Sequence, residues 1–477
     1  MSSATHLKKN SIGLAALVFF VVAAASPLTG LVGGMPIAIL EGNGGGIPGI
    51  YILSGALLLL FSIGFITMSR YVKNSGAFYA YISAGLGNKL GVSGLGVAIL
   101  AYVSIEIAVA AIFGLFTQIF FHDYFSIDLP WWVYTIAMLL VVCLLGIERI
   151  EIGGKVLGIL MLLEVGIALI IAVVTVYKHA QIGALDFTAF NPTVVFSGNV
   201  GIALVFAVAG FIGFEATAIY SEECRNPEKT IPMATIIAVV IITTFFAFCS
   251  WGLIQAYGVA NVQAAVAKNP ELFVFNLAQS ALGKWSVLVI NVLLITSLFA
   301  ATQSFHNNVA RYFYYISRDG LFWSKLSKLH PKKGTPYLSS ICQTITMILI
   351  ITVLVIGNQN PLTDIFTWGS AITTMAILLL QTLVSLAVIA YFRKNTELQL
   401  PKWKVLYAPI LSAIFMSAFL WIVVVNLDIL SGVHSKLIYL IPVLVFGTAV
   451  GGFIYSILLK KLYPNVYDNL DQIINEA

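Results

Sequence analysis

Twelve predominantly apolar stretches, each about 18 to 30 residues long, follow one another along this chain. A bilayer core about 30 Å thick is crossed by roughly 20 residues of α-helix. The spacing therefore predicts an all-α polytopic membrane protein with about 12 transmembrane helices. The predicted spans, numbered 1 to 12, are 11–40, 48–69, 92–121, 130–147, 153–177, 196–220, 231–257, 285–314, 337–357, 363–392, 405–428 and 437–460. Composition agrees: of 477 residues, 60% are hydrophobic and 9% charged, too little polar surface for a protein bathed in water on every side. The longest loops, 178–195 and 258–284, are too short for cores of their own, so residues 1–477 are read as a single membrane domain with no soluble part.

Lys and Arg are retained on the cytoplasmic side of a membrane. With the N-terminus inside, the outer loops receive only Lys178, Lys268, Lys284 and Lys436, and the other 21 of the 25 basic residues fall inside. One missed span would invert every later loop and destroy that split. Both termini are therefore expected in the cytoplasm, in a multi-pass protein of the plasma (cell inner) membrane whose constant partner is the lipid bilayer. The net charge of +5 is then a topology signal, and with no basic stripe interleaved with aromatics no nucleic-acid partner is expected. Cys143, Cys249 and Cys342 lie in spans and Cys224 in a cytoplasmic loop, which offers neither a disulfide framework nor metal-ligand spacing. No metal or cofactor is expected. The first apolar run has the basic flank of a signal peptide but not its short length or a clear cleavage pattern, and is read as a retained span.

In hydrocarbon a helix must satisfy its own backbone, so interruptions survive only where protein or a wet cavity covers them. Span 1 contains Ser26-Pro27-Leu28-Thr29-Gly30-Leu31-Val32-Gly33-Gly34-Met35-Pro36, with prolines that remove donors and glycines that weaken the helix. It reads as an unwound segment or as a proline-kinked helix. Span 6 carries Gly210-Phe211-Ile212-Gly213-Phe214-Glu215, five spans later. That spacing is what two inverted five-helix repeats produce. Residues 11–177 would form the first repeat and 196–392 the second, with 405–460 peripheral. Half-helices at such breaks offer free N–H groups to anions and free C=O groups to cations, and an amino acid carries both charges.

Three carboxylates lie deep in spans: Glu106, Glu164 and Glu215. A charge at mid-bilayer costs about 2.5–3.5 kcal/mol even on a lenient scale, so each is a functional candidate with a structural alternative. Glu164, about 13.5 Å along the helix from Lys155, is either a coupling site for a proton or monovalent cation or a buried hydrogen-bond donor. Glu215 follows the span 6 break, where it would cap free N–H groups, carry a proton, or do both. Glu106, one turn after Tyr102 on the same face, could attract a substrate ammonium or bond to a neighbouring Ser, Thr or Asn. In the polar span 8, Thr296 and Ser297 offer oxygens to a cation, and His306 reads as a structural histidine or a proton relay. Phe206, Phe211 and Trp368 are candidate gates over a solute or packing residues. Substrate-binding candidates are thus Ser26, Thr29, Gly30, Gly33, Tyr102, Glu106, Phe206, Gly210, Phe211 and Gly213. Those for ion or proton coupling are Glu164, Glu215, Thr296 and Ser297.

The stretch from Gly210 to Pro232, GFIGFEATAIYSEECRNPEKTIP, resembles the G-F-E break, E-E pair and N-P-x-[RK]-x-[IV]-P connection of the amino acid/polyamine/organocation superfamily of transporters. Ser75-Gly76-Ala77-Phe78-Tyr79-Ala80-Tyr81 is similar to its G-x-x-Y-x-Y element, and Asn308, Arg311, Arg318, Asp319, Gly320, His330, Thr335 and Pro336 extend the likeness. The resemblance implies a LeuT-like five-plus-five inverted-repeat core with spans 11 and 12 outside it, and substrate held between the breaks of spans 1 and 6. Where many such carriers have a G-[ST]-G-type run in span 1, this chain has Ser26-Pro27-Leu28-Thr29-Gly30. Proton-coupled relatives can carry a lysine in span 5 where sodium-coupled ones bind sodium; Glu164 occupies that neighbourhood here and would attract a cation or proton.

The expectation is a secondary active amino acid transporter working by alternating access and driven by a proton gradient, with a monovalent cation as the other candidate coupling ion. A polyamine or cationic amino acid carrier or exchanger is the alternative, favoured by three deep acids without a deep base. A transporter-like sensor would be expected to append a signalling domain, which these residues lack, and no nucleophile and base arrangement points to an enzyme. The topology is directly testable. In a variant freed of the four native cysteines, Lys268→Cys should react with a membrane-impermeant maleimide on intact cells, and Lys332→Cys only after permeabilisation; the reverse pattern would refute the orientation.

Overall fold

Residues 12–72, 78–148, 153–219, 224–427 and 436–467 are described by a computed structural model. Both termini, the Ser75-Gly76-Ala77 and Glu222-Glu223 motif residues, and Lys8, Lys9, Lys73 and Arg149 lie outside the described residues. Apart from one isolated bridge between Ile12 and Cys224, regular structure among the described residues is helical. Nine helices there are long and apolar enough to cross a membrane. One, Leu14–Ser69, covers predicted spans 1 and 2 together, and spans 4 and 6 appear as the shorter Trp131–Ile147 and Val200–Ala209. The remaining predicted spans match Asn88–Phe125, Ile159–Gln181, Pro227–Tyr257, Trp285–Arg318, Tyr337–Ile356, Pro361–Lys394, Trp403–Val425 and Leu440–Leu462. The chain is an all-α polytopic membrane protein.

The hydroxyls on these helices mostly fold back onto carbonyls one turn earlier, as Ser62 does to Leu58, Thr175 to Ile171 and Thr302 to Leu298, which removes an unpaired donor from a medium without water. Leu144, Leu162, Val353, Ile356, Trp421 and Leu440 face outward from the bundle, a surface suited to lipid and not to water. Span 3 is the hub: it packs on spans 4, 8, 10 and 12, and 72% of its most apolar window is buried against 17% for span 12. Spans 1 and 2 pack on span 7.

Four α-helices fall in stretches expected to be loops; besides the short Pro192–Val195 and Val262–Lys268, two longer ones pack inward. Phe78–Leu86 precedes span 3 and buries Phe78, Tyr79, Tyr81 and Ile82. Phe273–Leu282, between spans 7 and 8, turns Phe273, Val274, Phe275 and Leu277 inward, with Phe273 stacked on Tyr257 at 4.8 Å. At nine and ten residues both are too short to register as spans. The first is locked to span 10 by Gly85, where a Cβ would sit 2.2 Å from the Ala387 carbonyl oxygen. That oxygen belongs to backbone and cannot step aside. Gly85→Val should therefore destabilise the protein by at least about 1–3 kcal/mol, read as a lowered Tm in detergent, whereas Gly447→Ala, with nothing within 4 Å of the added carbon, should leave Tm unchanged.

Candidate functional site

Proline disfavours the α conformation in the residue before it, and Ser26 accordingly adopts φ 45° and ψ 70° between helix Leu14–Ala25 and the turn Pro27–Thr29. The interruption of span 1 is confined to this residue. The chain then continues through wide, π-type turns at Gly30–Gly34 and Ala38–Asn43, so the stretch expected to be unwound is a sharp break followed by a loosened helix.

Span 6 breaks more fully. Helix Val200–Ala209 ends at Gly210, residues 210–215 form turns, and a second short helix runs over Ala216–Ile219. Gly213 has φ +107°, a conformation open to glycine and strained for other residues. A Cβ there would lie 2.7 Å from the Ala24 Cβ. The same glycine thus permits the turn and lets the span 6 break settle against span 1 two residues before Ser26.

Glu215 is fully buried at this junction. Its Oε1 accepts from the Tyr102 hydroxyl at 2.5 Å and its Oε2 from the Gly213 N–H at 3.2 Å. The carboxylate therefore both caps the break and ties it to span 3. On the opposite side, Ser26 Oγ lies 2.6 Å from Thr29 Oγ1 and 2.7 Å from Ser297 Oγ. Ser297 in turn neighbours the Glu164 side chain. Four oxygen-bearing side chains from spans 1, 5 and 8 thus meet beside the break, a donor set suited to a proton or a hard monovalent cation. Thr296 stays apart, turned to the Leu293 carbonyl at 2.9 Å.

Aromatic rings enclose the junction. Phe206 stacks on Phe366 at 6.0 Å. The position of Gly30 is filled by Phe246, whose ring would meet a Cβ there at 2.6 Å and stacks on Tyr51 at 4.8 Å. Gly33 lies against Ile112 and Phe366, Gly210 lies against Phe246, Phe211 is buried, and Trp368 is half-buried. Ser26, Thr29, Tyr102, Phe206 and Glu215 are each at most 5% exposed, so the junction is shut in this conformation. Phe366, Phe246 and Tyr51 were missed in the sequence because nothing in one apolar run marks which aromatic meets another run. Glu106 is placed elsewhere, on His306 and Gln343, although it shares a helix face with Tyr102.

A family model described as amino acid permease matches residues 12–448. The branched-chain amino acid permease BcaP of Bacillus subtilis is 26% identical over 73% of this chain and 65% of its own length. The low-affinity putrescine importer PlaP of Escherichia coli is 22% identical over 88% of this chain and 90% of its own. The serine/threonine exchanger SteT of Bacillus subtilis is 24% identical over 66% and 69%. With the family model covering nearly its whole length, and relatives that are permeases and exchangers, not enzymes, the chain belongs to the amino acid permease family of the amino acid/polyamine/organocation superfamily.

Proposed function

We propose that this protein is a secondary active transporter that moves amino acids across the plasma membrane by alternating access, driven by a proton gradient. The observation that carries the reading is the junction of two interrupted helices, five spans apart in sequence and packed on one another at Ala24 and Gly213. Substrate would bind between the breaks, its carboxylate and ammonium met by backbone groups freed at Ser26 and at residues 210–215. Residues 11–177 and 196–392 would be the inverted repeats and 405–460 the peripheral pair.

Spans 1, 2, 6 and 7 would rock against the rest of the bundle. Hydrogen bonds that cross this division are the ones transport must break, among them Tyr102 to Glu215, Ser26 to Ser297 and Thr374 to the Val205 carbonyl. The first two end on, or lead to, a carboxyl group. Adding a proton to Glu215 removes the negative charge that holds the Tyr102 hydroxyl, and adding one to Glu164 changes which hydroxyl Ser297 serves. A ligand shifts such an equilibrium only through its different affinity for the two states, and these contacts give the proton that difference.

A polyamine carrier is the second reading. It is favoured by the match to the putrescine importer over 88% of the chain and by the carboxyl groups of Glu164 and Glu215 at the junction. Uptake into proteoliposomes separates the two. Labelled leucine or serine should accumulate when the outside is made acidic, with unlabelled putrescine a poor competitor; strong competition by putrescine and none by neutral amino acids would select the second reading. Glu164→Gln should abolish gradient-driven accumulation while unfolding at a Tm close to that of the parent. Unchanged accumulation would remove Glu164 from the coupling.

A further inference from the structure

Away from the helix breaks, spans 3, 8 and 9 enclose a polar cluster that the transport reading leaves without a role. His306 Nδ1 lies 3.2 Å from Glu106 Oε1, and His306 Nε2 lies 2.8 Å from Ser340 Oγ. Gln343 Nε2 donates to Glu106 Oε2 at 2.7 Å. Glu106, His306 and Gln343 are fully buried, and Ser340 is 1% exposed. Span 4 closes over the group at Gly146, where a Cβ would sit 2.8 Å from Ser340 Oγ and 3.3 Å from His306 Cδ2.

Hydrogen-bond counting links the number of protons held in this cluster to its structure. With the ring neutral and its hydrogen on Nδ1, Nδ1 donates to Glu106 and Nε2 must accept from the Ser340 hydroxyl. With a second hydrogen on Nε2, the ring donates at both ends and Ser340 becomes the acceptor. Its own hydrogen is released, and the Cys143 carbonyl of span 4 stands 3.5 Å from Ser340 Oγ. Proton uptake at His306 thus turns one hydrogen bond around and makes another available between spans 9 and 4.

We propose that Glu106, His306 and Ser340 form a second proton-binding site, separate from the junction of the two breaks, whose occupancy clamps spans 3, 4, 8 and 9 together and sets how transport responds to pH. Access is built into the placement of Ser340 in the first turn of Tyr337–Ile356, directly after the polar connection in which Thr335 bonds to the Ile147 carbonyl and Lys333 pairs with Glu148. On the elements packed around the cluster, the other titratable side chains nearest to it in sequence are Tyr102 on span 3, Arg311 and Tyr312 on span 8, Tyr337 and Cys342 on span 9 and Cys143 on span 4. Span 3 carries the consequence to the breaks: Glu106 stands one turn from Tyr102, the residue that holds Glu215, and the Tyr102 ring packs at 6.3 Å on Phe305, the neighbour of His306.

The effect on transport rests on the transport reading above, so the test has two arms. In the first, counterflow of labelled serine, leucine and putrescine is measured in proteoliposomes at equal pH on both sides, from about pH 5 to 8, the range in which histidine changes charge. With no gradient the proton supplies no driving force, so a pH response reports occupancy of a proton site, and the variants below assign that response to this cluster rather than to Glu164 or Glu215. The wild-type rate should change by up to about tenfold per pH unit across its transition. His306→Gln and Glu106→Gln should hold it to less than about twofold across the range, and Ser340→Ala should weaken the response; a wild-type profile in His306→Gln overturns the proposal. The second arm uses the full chain with 15N-labelled histidine in nanodiscs. The resonance absent from His306→Gln should move from neutral ring to imidazolium over the same range, and a ring that keeps one state throughout also overturns the proposal, whether or not the variants fold. Titration of His306 without counterflow of any of the three solutes would leave the proton site standing and remove the transport reading instead.

Discussion

A backbone group inside a bilayer has no water to turn to, and this one constraint orders the whole molecule. Where a helix stops, the groups it releases need partners from the protein, so two interruptions are best tolerated together. The break at Ser26 and the break over 210–215 meet through a glycine that has no side chain to keep Ala24 away. Glu215 then supplies an acceptor to the Gly213 N–H. A carboxylate that would be costly alone becomes the group that makes the broken helix tolerable.

The same constraint divides the polar side chains into two kinds. Most hydroxyls bond to their own helix and contribute nothing between helices. A minority reach another span, among them Ser26 to Ser297, Tyr102 to Glu215, Thr373 to the Ala101 carbonyl and Thr374 to the Val205 carbonyl. The last two fasten span 10 to spans 3 and 6 through carbonyls, which do not titrate. The first two lead to carboxyl groups. Contacts that end on the backbone and contacts that involve an acid are therefore chemically distinct.

The fold was legible in the sequence to the degree that each helix is a property of its own residues. Twelve apolar runs predicted twelve helical segments because length and hydropathy are local, and Pro27 and Gly213 marked the two breaks for the same reason. The resemblance carried by Gly210 to Pro232 identified the family. Pairings between distant segments were not legible. Glu106 could be recognised as an acid that needs a partner, yet that the partner is His306, 200 residues away, depends on how spans 3 and 8 pack. The break in span 1 was placed correctly but drawn too long, since glycines at 30, 33 and 34 loosen a helix without ending it.

The hydroxyl cluster beside the first break shows why an acid in span 5 differs in kind from a base. Ser26 donates its one hydrogen to Thr29 Oγ1 at 2.6 Å, so toward Ser297 Oγ, 2.7 Å away, it has only a lone pair to offer. Ser297 must then supply the hydrogen between them, and it too has just one. An ionised acid at Glu164, which neighbours Ser297, can only accept and would compete with Ser26 for that hydrogen, whereas a protonated one can donate to Ser297 and leave it in place. A lysine ammonium at that position has donors only and could not compete for it while charged. An acid in span 5 therefore gives the hydroxyls at the break a neighbour whose hydrogen-bonding sense can change, and a base does not.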